Sequence, residues 1–380
     1  MTSAGPARTR TSSWPIRVAD QTAAIQAAGR WRAVRSFDSR GPTGRLADHP
    51  SPVVSFASND YLGLTAHPAV VAAAHEALDR WGAGAGASRL VTGARPVHEE
   101  LEAELAAWKG TEAALLFPTG FAANLGVLSA LAGPDVLVCS DELNHASIID
   151  GCRLARAQVA VYRHLDLDHL AAQLADSTGP AIVVSDRVFS MDGDEAPVVE
   201  LAELCATHGA LLVLDDAHAV LASSPHLTGD VVRVGTLSKT LGSLGGFVAA
   251  SREIVGLLVN RARPFIFTTA PTPADTAAAL AALRVVRSDE GDRLIARLRS
   301  HVTRVAPGNP SPIVPILIGD EQAALAAAAH LLEHGLFVPA IRPPTVAPGT
   351  SRLRVALSSD HTESDVDRLV AGLEELRGAP

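Results

Sequence analysis

Between residues 113 and 234, largely apolar runs recur at 113–117, 136–139, 181–184, 210–214 and 231–234, with segments of helical spacing between them. Strand alternating with helix in this way predicts an α/β fold built on a mostly parallel central sheet with helices on both faces. In such sheets, polar residues just past the carboxyl ends of the strands collect along one edge, where ligands bind. His145, Ser190, Asp215, His218 and Lys239 all hold positions of that kind. Singly each is ordinary, since the chain holds 14 histidines and an aspartate after a strand often caps a turn. Five of them at strand ends point to a site.

The chain's 380 residues, 47% of them apolar, can bury a large core. The pattern changes near residue 287, to short strands around 313–318, a helix over 322–334 and a final strand and helix. Three parts are expected: a tail and arm (1–54), a large α/β domain (55–287) and a smaller α+β C-terminal domain (288–380). A net charge of −9 without a basic, aromatic-interleaved patch argues against nucleic acid or an anionic membrane as partner. Apolar runs such as 277–283 fall far short of the roughly 18 residues a membrane span needs. Cys139, Cys152 and Cys205 lack CxxC spacing and fall in apolar patterns, as reduced core residues of a cytoplasmic protein would. The first twenty residues read as a disordered tail, followed by a short helix over 21–35.

The chain has two lysines. Lys109 ends an amphipathic helix, where a cation suits the negative end of the dipole, and reads as a solvated surface charge. Lys239 lies in Thr236-Leu237-Ser238-Lys239-Thr240, followed by Gly242, Gly245 and Gly246. That setting suits an amine held as an imine by an aldehyde cofactor, and equally a loop or phosphate-contacting lysine. The glycines at 82–89 follow a helix instead of opening one after a strand, so they fail the dinucleotide pattern. Pro118-Thr119-Gly120-Phe121 does open a helix, and its amides could hold a phosphate. Arg352 and Arg354 alternate with Leu353 and Val355, which puts both on one strand face, where they could hold a carboxylate.

With pyridoxal phosphate at Lys239, the remaining residues acquire physical tasks. A carboxylate at Asp215 would keep the ring nitrogen protonated. The His145 imidazole could stack on the ring, and His218 and Ser190 could hydrogen-bond near its oxygen.

Seven segments resemble the motifs of the α-oxoamine synthases, in the same order from about residue 55 to 375. They are Ser58-Asn59-Asp60-Tyr61-Leu62-Gly63-Leu64, Ser88-Arg89-Leu90-Val91-Thr92-Gly93, Thr119-Gly120-Phe121-Ala122-Ala123-Asn124, Asn144-His145-Ala146-Ser147, Phe189-Ser190-Met191-Asp192-Gly193-Asp194, Asp215-Asp216-Ala217-His218 and Thr236-Leu237-Ser238-Lys239. The resemblance implies a type I pyridoxal-phosphate-dependent transferase fold, acting as a homodimer with shared active sites. It makes Lys239 the residue that carries pyridoxal 5′-phosphate, Asp215 the ring-nitrogen partner and His145 the stacking residue. Thr119, Gly120, Phe121, Ser190, His218 and Thr236 would bind the cofactor, while Thr268 or Thr269 would reach the phosphate of the neighbouring subunit's site. Asn59, Thr345 and Arg354 would meet substrate, Arg354 through the amino-acid carboxylate. The stretch from Ile341 to Arg354 resembles the branch that joins L-alanine to a pimeloyl thioester in biotin biosynthesis, with the glycine-using branches as near alternatives. Coenzyme A or an acyl-carrier protein could deliver the acyl group, and Arg32, preferred to Arg30, or Arg342 would meet its distal carboxylate. A metal is not expected.

The chain departs from the family after His218. Ala219-Val220-Leu221 stands where a glycine-rich loop is usual, and the interval from His218 to Lys239 is short, 239 − 218 = 21 positions. A catalytically silent scaffold is the rival class, and it would have no use for an imine-forming lysine.

Overall fold

The computed structural model describes residues 13–223 and 225–378. Seven strands form the central sheet: β4 (Ala113–Phe117), β5 (Leu137–Asp141), β6 (Gln158–Tyr162), β7 (Ala181–Asp186), β8 (Leu211–Asp215), β9 (Val231–Thr236) and β10 (Gly246–Ala250). They follow β1 (Phe37–Ser39), β2 (Thr43–Leu46) and β3 (Val53–Ser55), an antiparallel ribbon in the N-terminal arm. The central order is β4-β10-β9-β8-β7-β5-β6, parallel at every pairing except those of β10 with β4 and β9. All of β7 is buried and so is nearly all of β8, which is why 181–184 and 211–214 are unbroken apolar runs instead of alternating ones.

The reversal at β10 has a local cause. Only residues 237–245 join β9 to β10, whereas a parallel return needs a crossover of roughly a dozen residues or more. The chain therefore turns back on itself, and Lys239 rides on that turn at the carboxyl edge of the parallel strands. β6 escapes the apolar-run pattern because it is the edge strand and most of it faces solvent.

Helices Pro68–Trp81, Pro96–Lys109 and Pro273–Val286 pack together and bury one large apolar cluster around Leu101, Leu105, Phe247 and Leu283. Helices Gly120–Leu131 and Ala146–Ala155 pack with each other in a second cluster, against Val138, Val184 and Val213. Cys152 is free and buried in this second cluster, and Cys139 and Cys205 are free and buried in a third, with Leu170, Phe189 and Leu201.

Toward the C-terminus lie β11 (Ile313–Gly319), β12 (Leu336–Phe337), β13 (Ala340–Ile341) and β14 (Ser351–Ala356). β11, β14 and β13 make an antiparallel sheet. β12 does not join it but pairs in parallel with β3, so the N-terminal ribbon is completed from the far end of the chain. In the arm the observed helix is Trp14–Ala27, not 21–35. It starts beside Pro15 and stops where Gly29 takes φ 65°. The tail expectation therefore fails for residues 13–20, and residues 1–12 lie outside those described. Among the described residues no helix is long and apolar enough to cross a membrane.

Candidate active site

The carboxyl ends of β7, β8 and β9 bring Lys239, His218, Asp215 and Asp186 together. Lys239 Nζ lies 2.7 Å from His218 Nε2, and His218 Nδ1 lies 2.5 Å from the Tyr61 hydroxyl. The same hydroxyl is 3.1 Å from Asn59 Oδ1, which also accepts from Arg354 Nη2 at 3.1 Å. Donor and acceptor capacity fixes the directions along this chain. With Tyr61 donating to Asn59, His218 Nδ1–H donates to Tyr61, and His218 Nε2 is left to accept from Lys239. Arg354 is thereby linked to Lys239 through Asn59, Tyr61 and His218.

The electrostatics follow from burial. Desolvation pulls Lys239 below its ordinary value, although Asp215 and Asp186 pull the other way. His218 falls well below its usual range through burial, with Lys239, Arg354 and His145 adding to the effect. Tyr61 is fully buried and pushed up to about 12, so it remains a phenol at neutral pH. Asp186 is raised well above the usual carboxylate range, first by burial and then by Asp215.

Asp215 accepts from Asn124 Nδ2 at 2.7 Å and from Ala217 N–H at 2.9 Å, both neutral donors. His145 N–H donates to Asp186 Oδ2 at 2.9 Å, and Asn144 ties the same loop to β7 through the Asp186 N–H and the Val184 carbonyl. The His145 ring accepts from or donates to Ser147 Oγ at 2.8 Å and stands edge-on to Phe121, centroids 6.3 Å apart. Its own value is lowered, chiefly by burial.

Beside this cluster, Thr119 Oγ1 accepts from Ala122 N–H and caps helix Gly120–Leu131. The Gly120 and Phe121 N–H groups then have no intrahelical partner. A Cβ on Gly120 would come 3.2 Å from Thr236 Cβ, so the glycine is what lets the helix start meet β9. Thr236 Oγ1 donates to the Gly245 carbonyl at 3.0 Å and lies 2.7 Å from Ser238 Oγ.

These features fit an aldehyde cofactor bearing a phosphate and a protonated ring nitrogen. Asp186 and Asp215 are buried side by side with Lys239 as the cation acting on them, Asn124 Oδ1 is buried without a partner among the described residues, and the helix start supplies free N–H groups for an anion. Lys239 has the lowered basicity of a nucleophilic amine.

Other expected residues fall into place unevenly. The Ser190 carbonyl accepts from Arg354 Nε at 2.5 Å. Arg352 is committed to the Asp192 carboxylate and the Thr350 carbonyl, which leaves Arg354 as the arginine of that strand facing the cluster. Arg32 Nη2 donates to Thr345 Oγ1 at 3.3 Å; Thr345 lines a cleft of about 720 Å³ that runs past Asn144 and Ser190 and has Arg30, not Arg32, in its wall. Arg30 instead pairs with Glu321, and Arg342 donates to the Gly29 carbonyl at 2.9 Å. Thr268 and Thr269 enter none of the cluster's hydrogen bonds within this chain; Phe267 beside them is 70% exposed. Asp186 and Tyr61 went unassigned from sequence. Asp186 had the same signal as Asp215, an acid ending an apolar run, but Tyr61 reaches His218 only through the fold.

The reading of Lys109 is corrected. Its ammonium is not solvated but lies 2.8 Å from the buried carboxylate of Asp216.

The description "Aminotransferase class I and II" matches residues 51–373. The chain is 50% identical over 374 residues to 8-amino-7-oxononanoate synthase of Anaeromyxobacter dehalogenans (strain 2CP-1 / ATCC BAA-258), covering 92% of each. The chain belongs to the aminotransferase class I and II family, in its α-oxoamine synthase branch. An 8-amino-7-oxononanoate synthase of Methylobacterium nodulans is 48% identical over 94% of this α-oxoamine synthase and 95% of its own length. Among solved structures, Sphingomonas wittichii serine palmitoyltransferase superposes with a TM-score of 0.87 at 30% identity, covering 97% of this chain and 98% of its own. The 8-amino-7-oxononanoate synthase of Francisella tularensis gives 0.72 at 26% identity, covering 85% and 96%. The fold is that of the type I pyridoxal-phosphate enzymes.

Proposed function

We propose that this chain condenses L-alanine with a pimeloyl thioester, carried on coenzyme A or an acyl-carrier protein, to give 8-amino-7-oxononanoate, carbon dioxide and the free thiol, in the biotin pathway. The observation that carries this reading is the 50% identity to a synthase of that name over 92% of both chains. The pocket supports it.

Pyridoxal phosphate bound at Lys239 supplies an electron sink for the pair left on the amino-acid Cα when its proton departs. Asp215, with Asp186 behind it, would hold the proton on the ring nitrogen, and His145 would cover the ring face. Gly120 and Phe121 N–H groups with Thr119 and Thr236 would hold the phosphate, and Ser190 would add a further contact to the cofactor. Arg354, steadied by Asn59, takes the alanine carboxylate. Lys239, its basicity lowered by burial, would be freed when the alanine amine takes its place and would then remove the Cα proton as general base, with His218 receiving the hydrogen bond of the lysine amine. The Cα–acyl bond then forms as the C–S bond breaks. The carboxylate leaves as carbon dioxide, and a proton returns to Cα.

Arg32, which donates to Thr345 in the cleft wall, is the cation for the distal pimeloyl carboxylate, with Arg342 the second candidate. The protein acts as a cytoplasmic homodimer in which Thr268 or Thr269 reaches the partner's phosphate; exposed Phe267, Val91 and Leu90 are apolar surface available for that contact. The test is a panel of pimeloyl and equal-length monocarboxylic thioesters, each offered with alanine and with glycine. Carbon dioxide should be released with alanine, and pimeloyl donors should have the lower KM. Release with glycine alone would move the chain to another α-oxoamine synthase activity, and no release with any pair would make it a silent scaffold.

A further inference from the structure

The last turn of helix Glu321–Glu333 carries His330, and His334 follows at its carboxyl cap. Residues four apart on a helix share a face, and here the two imidazoles lie with centroids 4.6 Å apart. The C-terminal helix Glu363–Gly378 brings Glu375 against them, with Oε2 3.6 Å from His330 Nε2. One ligand atom from each of the three side chains lies within 4.8 Å of those of the other two. All three side chains reach solvent, and none belongs to the reaction pocket.

Three features suit these groups to a shared ion more than to one another. First, 3.6 Å is too long for a hydrogen bond between His330 and Glu375. It is close to the edge, about 3.4 Å, of a tetrahedron whose metal–ligand bonds are roughly 2.1 Å. Second, His334 Nδ1 lies 2.9 Å from the His330 carbonyl. A carbonyl can only accept, so Nδ1 carries the hydrogen and the lone pair is left on Nε2. Metal-binding histidines are oriented in this way, by giving their other N–H to a backbone carbonyl or carboxylate. The His334 backbone N–H does not compete for that carbonyl, because it goes to Leu331. Third, the core holds the two helices together. Leu331 is buried beside His330 and Leu373 is buried on the other helix, and a Cβ on Gly372 would crowd Leu331 Cδ2 at 2.9 Å. The ligands therefore stand on a frame that needs no ion to form, which lowers the ordering cost of binding.

We infer that His330, His334 and Glu375 bind one zinc(II) ion through His330 Nε2, His334 Nε2 and a Glu375 oxygen, with water in the fourth position. Two imidazoles and one carboxylate suit zinc better than calcium or magnesium, which take oxygen ligands. This goes against the expectation of no metal, because Glu375 meets the histidine pair only through the fold. The ion would clasp the C-terminal helix to the segment that enters β12. The next residue, Gly335, has its carbonyl bonded to Val54 N–H at 2.9 Å, where β12 meets β3.

The experiment uses the untagged holoenzyme, cleared of free cofactor, whose phosphate would compete for the ion. Zinc is titrated calorimetrically into the parent, His334→Gln and Glu375→Gln, with the cofactor absorbance recorded throughout. The parent should bind one equivalent per chain. Each substitution should weaken that equivalent at least about a hundredfold, the upper range for losing even an outer partner of a ligand. Magnesium and calcium at equal concentration should not compete. Both substituted side chains are exposed, so in chelator the variants should melt with the parent, and zinc should raise the midpoint of the parent alone. Cobalt(II) bound to the parent should show the visible bands of a tetrahedral site, which checks the geometry without any variant. No tight equivalent in the parent, an equivalent unchanged in either variant, or octahedral cobalt bands would overturn the site. A cofactor spectrum that changes with zinc would place the ion in the reaction pocket and end the inference, while leaving the proposed activity standing.

Discussion

Asp215 and Asp216 are neighbours in the chain, similarly buried at 6% and 8%, and they face opposite electrostatic surroundings. Asp215 lies beside a second carboxylate, Asp186, and its own hydrogen bonds come from neutral donors, Asn124 and Ala217. Asp216 has three cations within 3.6 Å. The pair Asp186-Arg187, one strand over, divides the same way. Successive residues of an extended chain point to opposite sides, so one pair of strand ends can leave charge short on one side and fully committed on the other. The first condition suits chemistry and the second suits structure.

Substituting the two acids separately tests that contrast most sharply. Asp215→Asn is expected to lower kcat by about a thousandfold, the scale of losing a positioned charge in an active site, with little change in thermal midpoint. Asp216→Asn strips the counter-charge from Lys109, Arg187 and Arg233 and should cost about 3–5 kcal/mol of stability, with kcat of the folded fraction close to that of the parent. Urea titration and steady-state kinetics on both variants decide the matter; matching profiles would erase the distinction.

A smaller effect is expected along the chain from Arg354 to Lys239. Tyr61→Phe removes the group that fixes the His218 tautomer and should lower kcat about tenfold. Since Tyr61 does not touch the proposed substrate, KM for alanine should hold while the acid limb of the pH–rate profile moves. A purely structural tyrosine would leave that limb where it was.

The smallest effect concerns a third arrangement on the same sheet edge, a cation between two carboxylates. His164 Nδ1 meets Asp141 at 2.9 Å and Nε2 meets Asp194 at 2.7 Å. Burial alone would lower His164, but the hydrogen bonds to Asp141 and Asp194 outweigh it and lift the ring to about 10. A folded value above the unfolded one, roughly 6.5, means stability fully present below pH 6.5 and lost as pH rises through about 10. Over that interval the parent should lose stability relative to His164→Gln in pH-dependent melts. Parallel curves would show that the ring is neutral.

Much of the parallel sheet was legible because β7 and β8, buried on both faces, can only be apolar. The polar residues that end those strands were legible for the same reason, being the points where the pattern breaks. Lys109 was not, because a lysine in the last turn of a helix reads alike whether it meets water or a carboxylate 107 positions away. Arg187 is hidden for a similar reason, since its partner Asp216 is set by the pairing of β7 with β8. The direction of β10 could have been read from its nine-residue approach, but only once β9 and β10 were known to be adjacent.

The pairing of β3 with β12 has a consequence for the order in which the protein is made. Leu336 pairs with Val54, 336 − 54 = 282 positions apart. At roughly 5–20 residues per second on the ribosome, β3 emerges tens of seconds before the strand that completes it. During that time one edge of the ribbon, including Val53 and Val54, has no partner and invites pairing with another nascent chain. Translation speed and chaperone supply should therefore govern the yield of this protein more than the stability of its finished fold.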